Sequence, residues 1–153
     1  MKLSGLLLLL IFLLNNNKCF AAYNYKKPFI DSVPTVLMGN FIDDYDIKYS
    51  INDTLWIQHP NVRYHILKWN VKEQYALAKN DDKNPSEAGL YTRIDYMLFP
   101  GMKPFLWGFC FTAYNATSIS VAEATTQADR NDPKKGCNGF PFSRMKKNDK
   151  QSE

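Results

Sequence analysis

Residues 45–51 alternate without a break: Tyr45, Ile47, Tyr49 and Ile51 fall on one face of an extended chain, and Asp46, Lys48 and Ser50 fall on the other. A strand written this way sets one face on a core and the other in water. The same period of two marks 37–42, 54–58, 74–79, 91–99 and 105–114. In 63–69 it places Tyr64, Ile66 and Lys68 on one side and His65, Leu67 and Trp69 on the other. Turn-forming groups separate the runs, among them Asn52-Asp53, His59-Pro60-Asn61, the polar segment 80–89 and Pro100-Gly101. No interval holds the crossover helix that a parallel sheet requires, so the strands predict an antiparallel meander. The expected fold is all-β, a small antiparallel meander barrel or a related sandwich, with one short helix near the C-terminus. The helix is read from Ser120-Val121-Ala122-Glu123, which has capping-box spacing, and from Ala122, Ala124 and Ala128 ahead of a stop at 129–133. An extended piece at 140–145 follows, and its Pro141 suits an edge or a bulge.

The longest apolar strand, 105–114, carries Cys110, one of three cysteines. The others are Cys19 and Cys137, and the start of the chain decides between them. Met1-Lys2 is a short basic region, 3–14 is apolar, and Cys19-Phe20-Ala21 offers small residues at the positions a signal peptidase reads. Residues 1–21 are therefore expected to be a cleaved signal peptide, 22–35 an N-terminal arm, 36–145 a single β-rich domain, and 146–153 a basic flexible tail. Cleavage discards Cys19 and leaves Cys110 and Cys137, an even pair that in an exported chain predicts a disulfide. Such a bridge removes denatured-state entropy worth about 3 to 4 kcal/mol. Lipidation of Cys19 would want a small residue before it, where Lys18 stands. The expected location is secreted or periplasmic. The apolar run at 3–14 falls short of the roughly 20 residues of a membrane helix, and no later segment approaches that length. The formal net charge of +4 becomes +2 once Lys2 and Lys18 are removed, too weak and scattered to announce a nucleic-acid partner.

The step Gly39-Asn40-Phe41 on the first strand resembles the Gly-x-Trp signal of the lipocalin-like (calycin) barrels, with Phe in place of Trp. The run from Trp107 to Cys110, the helix from Ser120 and the ending Gly136-Cys137-Asn138-Gly139-Phe140-Pro141 also resemble a group of small exported bacterial proteins with no assigned activity. The first resemblance implies a barrel, a ligand carried inside it, and Arg144 as the cation that packs over the first-strand aromatic. The chain departs from the lipocalin order in placing an extended segment after its helix.

Signals for chemistry are sparse. His59 and His65 are the only histidines, and Pro60 breaks the strand that would align them, so no metal pair is expected. Asp43, Asp44 and Asp46 lack the glycine-turned pattern of a calcium loop. Catalytic motifs such as Gly-x-Ser-x-Gly and His-Glu-x-x-His are missing, and no cofactor is implied. An enzyme would need His59 or His65 to meet an acid such as Asp95. Asn52 and Asn115 head glycosylation sequons, which mean something only in a eukaryotic secretory pathway. The aromatic set remains. Tyr49, Trp56, Tyr64, Trp69, Tyr75 and Trp107, with Arg93 as a polar contact, are the expected lining of a pocket for an apolar or aromatic small molecule. The expected function is non-catalytic binding, and the alternative is a structural or interaction protein of the envelope or surface whose barrel is filled by its own side chains.

Overall fold

In the computed structural model, which describes residues 33–148, a short 3-10 turn at Thr35–Leu37 leads into eight strands. They are β1 (Gly39–Ile42), β2 (Lys48–Ile51), β3 (Leu55–Gln58), β4 (Val62–Asn70), β5 (Tyr75–Asn80), β6 (Tyr91–Leu98), β7 (Phe105–Ala116) and β8 (Ser143–Lys147). One helix, α1 (Ile119–Ala124), lies between β7 and β8. Each strand pairs antiparallel with the next, and β8 returns to β1 with Phe41 opposite Lys147 and Ile42 opposite Lys146. The sheet is thus a closed barrel, the first of the two expected architectures. Closure leaves no strand edge open for pairing with another chain. The expected signal peptide, N-terminal arm up to Ser32 and end of the basic tail lie outside the described residues. Lys146 and Lys147, assigned by the sequence pattern to the tail, are part of β8.

Alternation holds along most strands and sends one face inward. Phe41, Tyr49, Ile51, Trp56, Tyr64, Ala76, Ala78, Ile94, Tyr96, Trp107, Phe109 and Met145 form a single buried cluster with Leu37 of the 3-10 turn. Three departures from the expected pattern have physical causes. In β4 the register shifts between Ile66 and Lys68, a bulge that changes the phase. Trp69 therefore joins Tyr64 and Ile66 against the core, whereas strict alternation puts it on the opposite side. Tyr45 is not a core residue: Asp43 accepts hydrogen bonds from the backbone N–H of Tyr45 and Ile47, which makes a turn there and leaves Tyr45 65% exposed. The helix is shorter and starts earlier than the capping box predicts. Ser118, not Ser120, is its N-cap, accepting from the Val121 N–H, and the extended backbone of Thr125 ends it after six residues.

The segment after β7 is fastened to the outside of the barrel at two places. α1 covers an outward-facing cluster of Tyr75, Leu77 and Ala116 through Ala122, which is why β5 is buried on both faces and reads poorly as an alternating strand. Further on, the expected disulfide joins Cys110 on β7 to Cys137, with Ala128 and Phe142 packed beside it. Gly136 sits where a Cβ would lie 1.8 Å from the Asp129 carbonyl oxygen, so no larger residue fits.

Candidate ligand site in the barrel interior

Five of the seven residues expected to line a pocket converge inside the barrel. Tyr49, Trp56, Tyr64 and Trp107 belong to the buried interior cluster, and Trp69 packs against it. Strand periodicity delivers them from β2, β3, β4 and β7, and the β4 bulge brings in Trp69. Tyr96, one of the wider aromatic set, stands among them, and so do three rings that the sequence does not single out for the pocket, Phe41, Phe109 and Phe111. The odd-numbered register of Trp107, Phe109 and Phe111 on one strand is the signal that identifies the last two.

The rings meet mostly edge to face. Trp56 is 5.7 Å from Trp107 and 5.2 Å from Phe109, Phe41 is 5.2 Å from Trp107, and Tyr64 is 5.2 Å from Phe111. These are separations at which aromatic quadrupoles attract. Trp69 and Tyr96 form a separate pair at 6.2 Å.

Polar atoms in this interior fall into two groups. At one end, Tyr49 donates its hydroxyl to Asp43 Oδ2 at 3.0 Å, Thr92 donates to Asn80 Oδ1 at 2.6 Å, and Asn80 donates to the Glu87 and Tyr114 carbonyls. The second group is unsatisfied. Trp56 Nε1, Trp107 Nε1 and the Tyr96 hydroxyl are buried and have no hydrogen-bond partner among the described residues. Each such donor costs about 1 to 3 kcal/mol while unpaired. Burial holds the phenols protonated: it pushes Tyr64 up to about 12 and raises Tyr96, and together with the Asp43 carboxylate it raises Tyr49.

Tyr75 and Arg93 lie elsewhere, on the outer wall beneath α1. The Arg93 guanidinium stacks 4.1 Å over the Tyr75 ring and donates to Asp95 and to the Glu123 carbonyl. Asp95, fully buried, also accepts from Arg130, Thr112 and the Ala128 N–H. Tyr75 donates to Glu123, whose carboxyl is held below its usual range by hydrogen bonds from Lys68 and Tyr75. Both residues fell out of phase with the interior because β5 and β6 carry buried side chains on each face. The cluster clamps the α1 segment to the wall.

The resemblance places Arg144 over the first-strand aromatic, but Lys147 occupies that position. Its Nζ lies 4.3 Å from the centre of the Phe41 ring and donates to the Met38 carbonyl at 2.6 Å. A Cβ on Gly39 would come within 2.8 Å of that Nζ, which ties the glycine to the contact. Arg144 alternates with inward-facing Met145 and so points outward, over Phe105 and onto Asp44.

Neither histidine meets Asp95. His59 bonds Ser50, and His65 bonds Asp81 at 2.7 Å, holding the Asp81 carboxyl below its usual range. Among the described residues no group of three or more His, Cys, Asp or Glu side chains is placed to hold a metal ion, and no helix is long and apolar enough to cross a membrane. Comparison of the chain with family models, curated proteins and solved structures finds no match.

Proposed function

We propose that this chain is an exported, lipocalin-like barrel that binds an uncharged apolar or aromatic small molecule in its interior and performs no catalysis. The three unpartnered donors carry the reading. Trp56 Nε1, Trp107 Nε1 and the Tyr96 hydroxyl stand among aromatic rings with no acceptor in reach among the described residues, and a guest bearing a carbonyl, ether or ring nitrogen supplies what they lack. The guest is uncharged because, among the described residues, the interior offers no counter-ion for a carboxylate. Of the buried charged side chains, Arg93 and Asp95 face the outer wall, and Asp43 is committed to its turn and to Tyr49. An ammonium brings only donors and leaves both indole N–H groups unpaired. Export is supported by the basic-then-apolar start of the chain and by the disulfide, a bond that persists in oxidising compartments.

The chain's three tryptophans all contact the interior, so emission reports directly on the site. Native mass spectrometry of the mature protein is expected to show a bound small molecule. Titration with uncharged aromatic carbonyl compounds is expected to quench or shift the tryptophan emission. A protein that carries no guest and whose emission is unmoved overturns the proposal. That outcome favours the second reading, a filled structural barrel, which the ring contacts of 5.1 Å between Phe109 and Phe111 and 5.2 Å between Trp56 and Phe109 also support.

A further inference from the structure

A half-open groove of about 590 Å³ lies on the outer surface, away from the barrel interior, where four segments meet. Its walls are Tyr45 from the β1–β2 turn, Phe99 and Met102 from the β6–β7 turn, Pro133 from the segment between α1 and β8, and Pro141 and Phe142 leading into β8. The site is built on fixed parts. Phe142 and Phe99 are buried at 2% and 8% exposure. The Phe99 ring presses on Gly108, where a Cβ would come within 2.8 Å, and the disulfide anchors the segment beside Phe142. Two large hydrophobic members are exposed, Tyr45 at 65% and Met102 at 42%.

The charges at the rim specify the occupant. Arg144 donates Nε and its backbone N–H to Asp44 and stacks 4.4 Å over Phe105, so its orientation is set. Among the described residues its two terminal nitrogens donate no hydrogen bond, and Lys134, also on the lining, makes no ion pair. With Asp44 neutralised by Arg144, the lining carries one net positive charge, from two cations and one anion. A planar guanidinium fork beside an ammonium recognises a carboxylate. The volume is that of a small-molecule cleft, whereas a protein partner would need a far wider surface.

We propose that this groove is a second ligand site, independent of the barrel interior, for a free amphipathic monocarboxylate. Its apolar body lies against Phe99, Met102 and Phe142, and its head lies between Lys134 and Arg144. The two sites select opposite charge states, uncharged inside and anionic outside.

The probe is 2-naphthoate, with uncharged 2-naphthylmethanol as its control, titrated into the full mature chain carrying labelled methionine methyl groups. Binding of 2-naphthoate is expected to shift the Met102 methyl signal and leave tryptophan emission unchanged, since every tryptophan contacts the interior. The alcohol is expected to bind at least about tenfold more weakly. Lys134→Glu is expected to weaken 2-naphthoate binding by about tenfold or more without moving the melting temperature, because Lys134 is exposed. Equal affinity for acid and alcohol overturns the proposal, as does a response in the tryptophans rather than Met102. Capture of the protein by phosphatidylglycerol vesicles with no binding of free 2-naphthoate also overturns it, and assigns the groove to a membrane surface instead.

Discussion

Asp95 accepts five hydrogen bonds, two from Arg93 and one each from Arg130, Thr112 and the Ala128 N–H. Removing the carboxylate strands two guanidiniums whose side chains are 6% and 20% exposed. Asp95→Ala is therefore expected to cost about 3 to 5 kcal/mol in urea unfolding, the penalty for breaking a buried ion network from one side. Tyr96 presents the opposite case. Its hydroxyl is buried without a partner, so Tyr96→Phe removes a desolvated group rather than a bond. Stability is expected to hold or rise by up to about 1 kcal/mol, while affinity for an acceptor-bearing guest falls about tenfold. Calorimetry and tryptophan titration on the same variant separate the two effects. A loss of stability without a change in affinity would show the hydroxyl to be structural.

Between β7 and β8 the chain leaves the sheet, and the disulfide ties that excursion down. Its two cysteines are separated by 27 residues, and a loop of that length gives about 3 to 4 kcal/mol of loop-closure stabilisation. The Cys110→Ala, Cys137→Ala double variant is expected to lose that amount in urea unfolding while keeping the far-ultraviolet spectrum of the barrel, since β7 and β8 keep their pairing. The bridge itself was legible in the sequence, because the expected cleavage of residues 1–21 takes Cys19 away and leaves only one pairing. The strands were legible as well, because one wet face imposes a period of two on residues such as Tyr49, Ile51 and Trp56. What alternation could not disclose lies where a strand is covered on both faces or slips phase. Tyr75 and Arg93 belong to the first kind, hidden under α1, and Trp69 to the second, turned inward by a bulge that no residue type announces. The helix start was misplaced because Ser118 and Ser120 both suit a cap, and only the path out of β7 chooses between them.

At the scale of the whole molecule, a barrel of eight strands is just wide enough to be filled by its own side chains or to hold one small guest. Here aromatic rings line that space, so the charge state of the interior is a property of the fold. Tyr49, Tyr64 and Tyr96 all carry pKa values raised by burial, Tyr64 to about 12, against an ordinary value near 10. A phenol whose folded value exceeds its unfolded value contributes stability that is fully present below the unfolded value. The contribution is lost as pH rises towards the folded value, because the unfolded chain releases the proton first. Each such group steepens the loss by up to about 1.4 kcal/mol per pH unit in that window. Above about pH 10 the barrel is thus expected to lose stability faster than one buried phenol accounts for. Absorbance at about 295 nm should then rise in two stages, with the last of the nine tyrosines ionising only as the far-ultraviolet signal collapses. A guest lodged against these rings delays the second stage, and a guest confined to the outer groove leaves the ionisation of the interior phenols unchanged. A smooth single-stage titration of all nine tyrosines in the folded protein would mean that water reaches the interior and that the aromatic cluster is not closed.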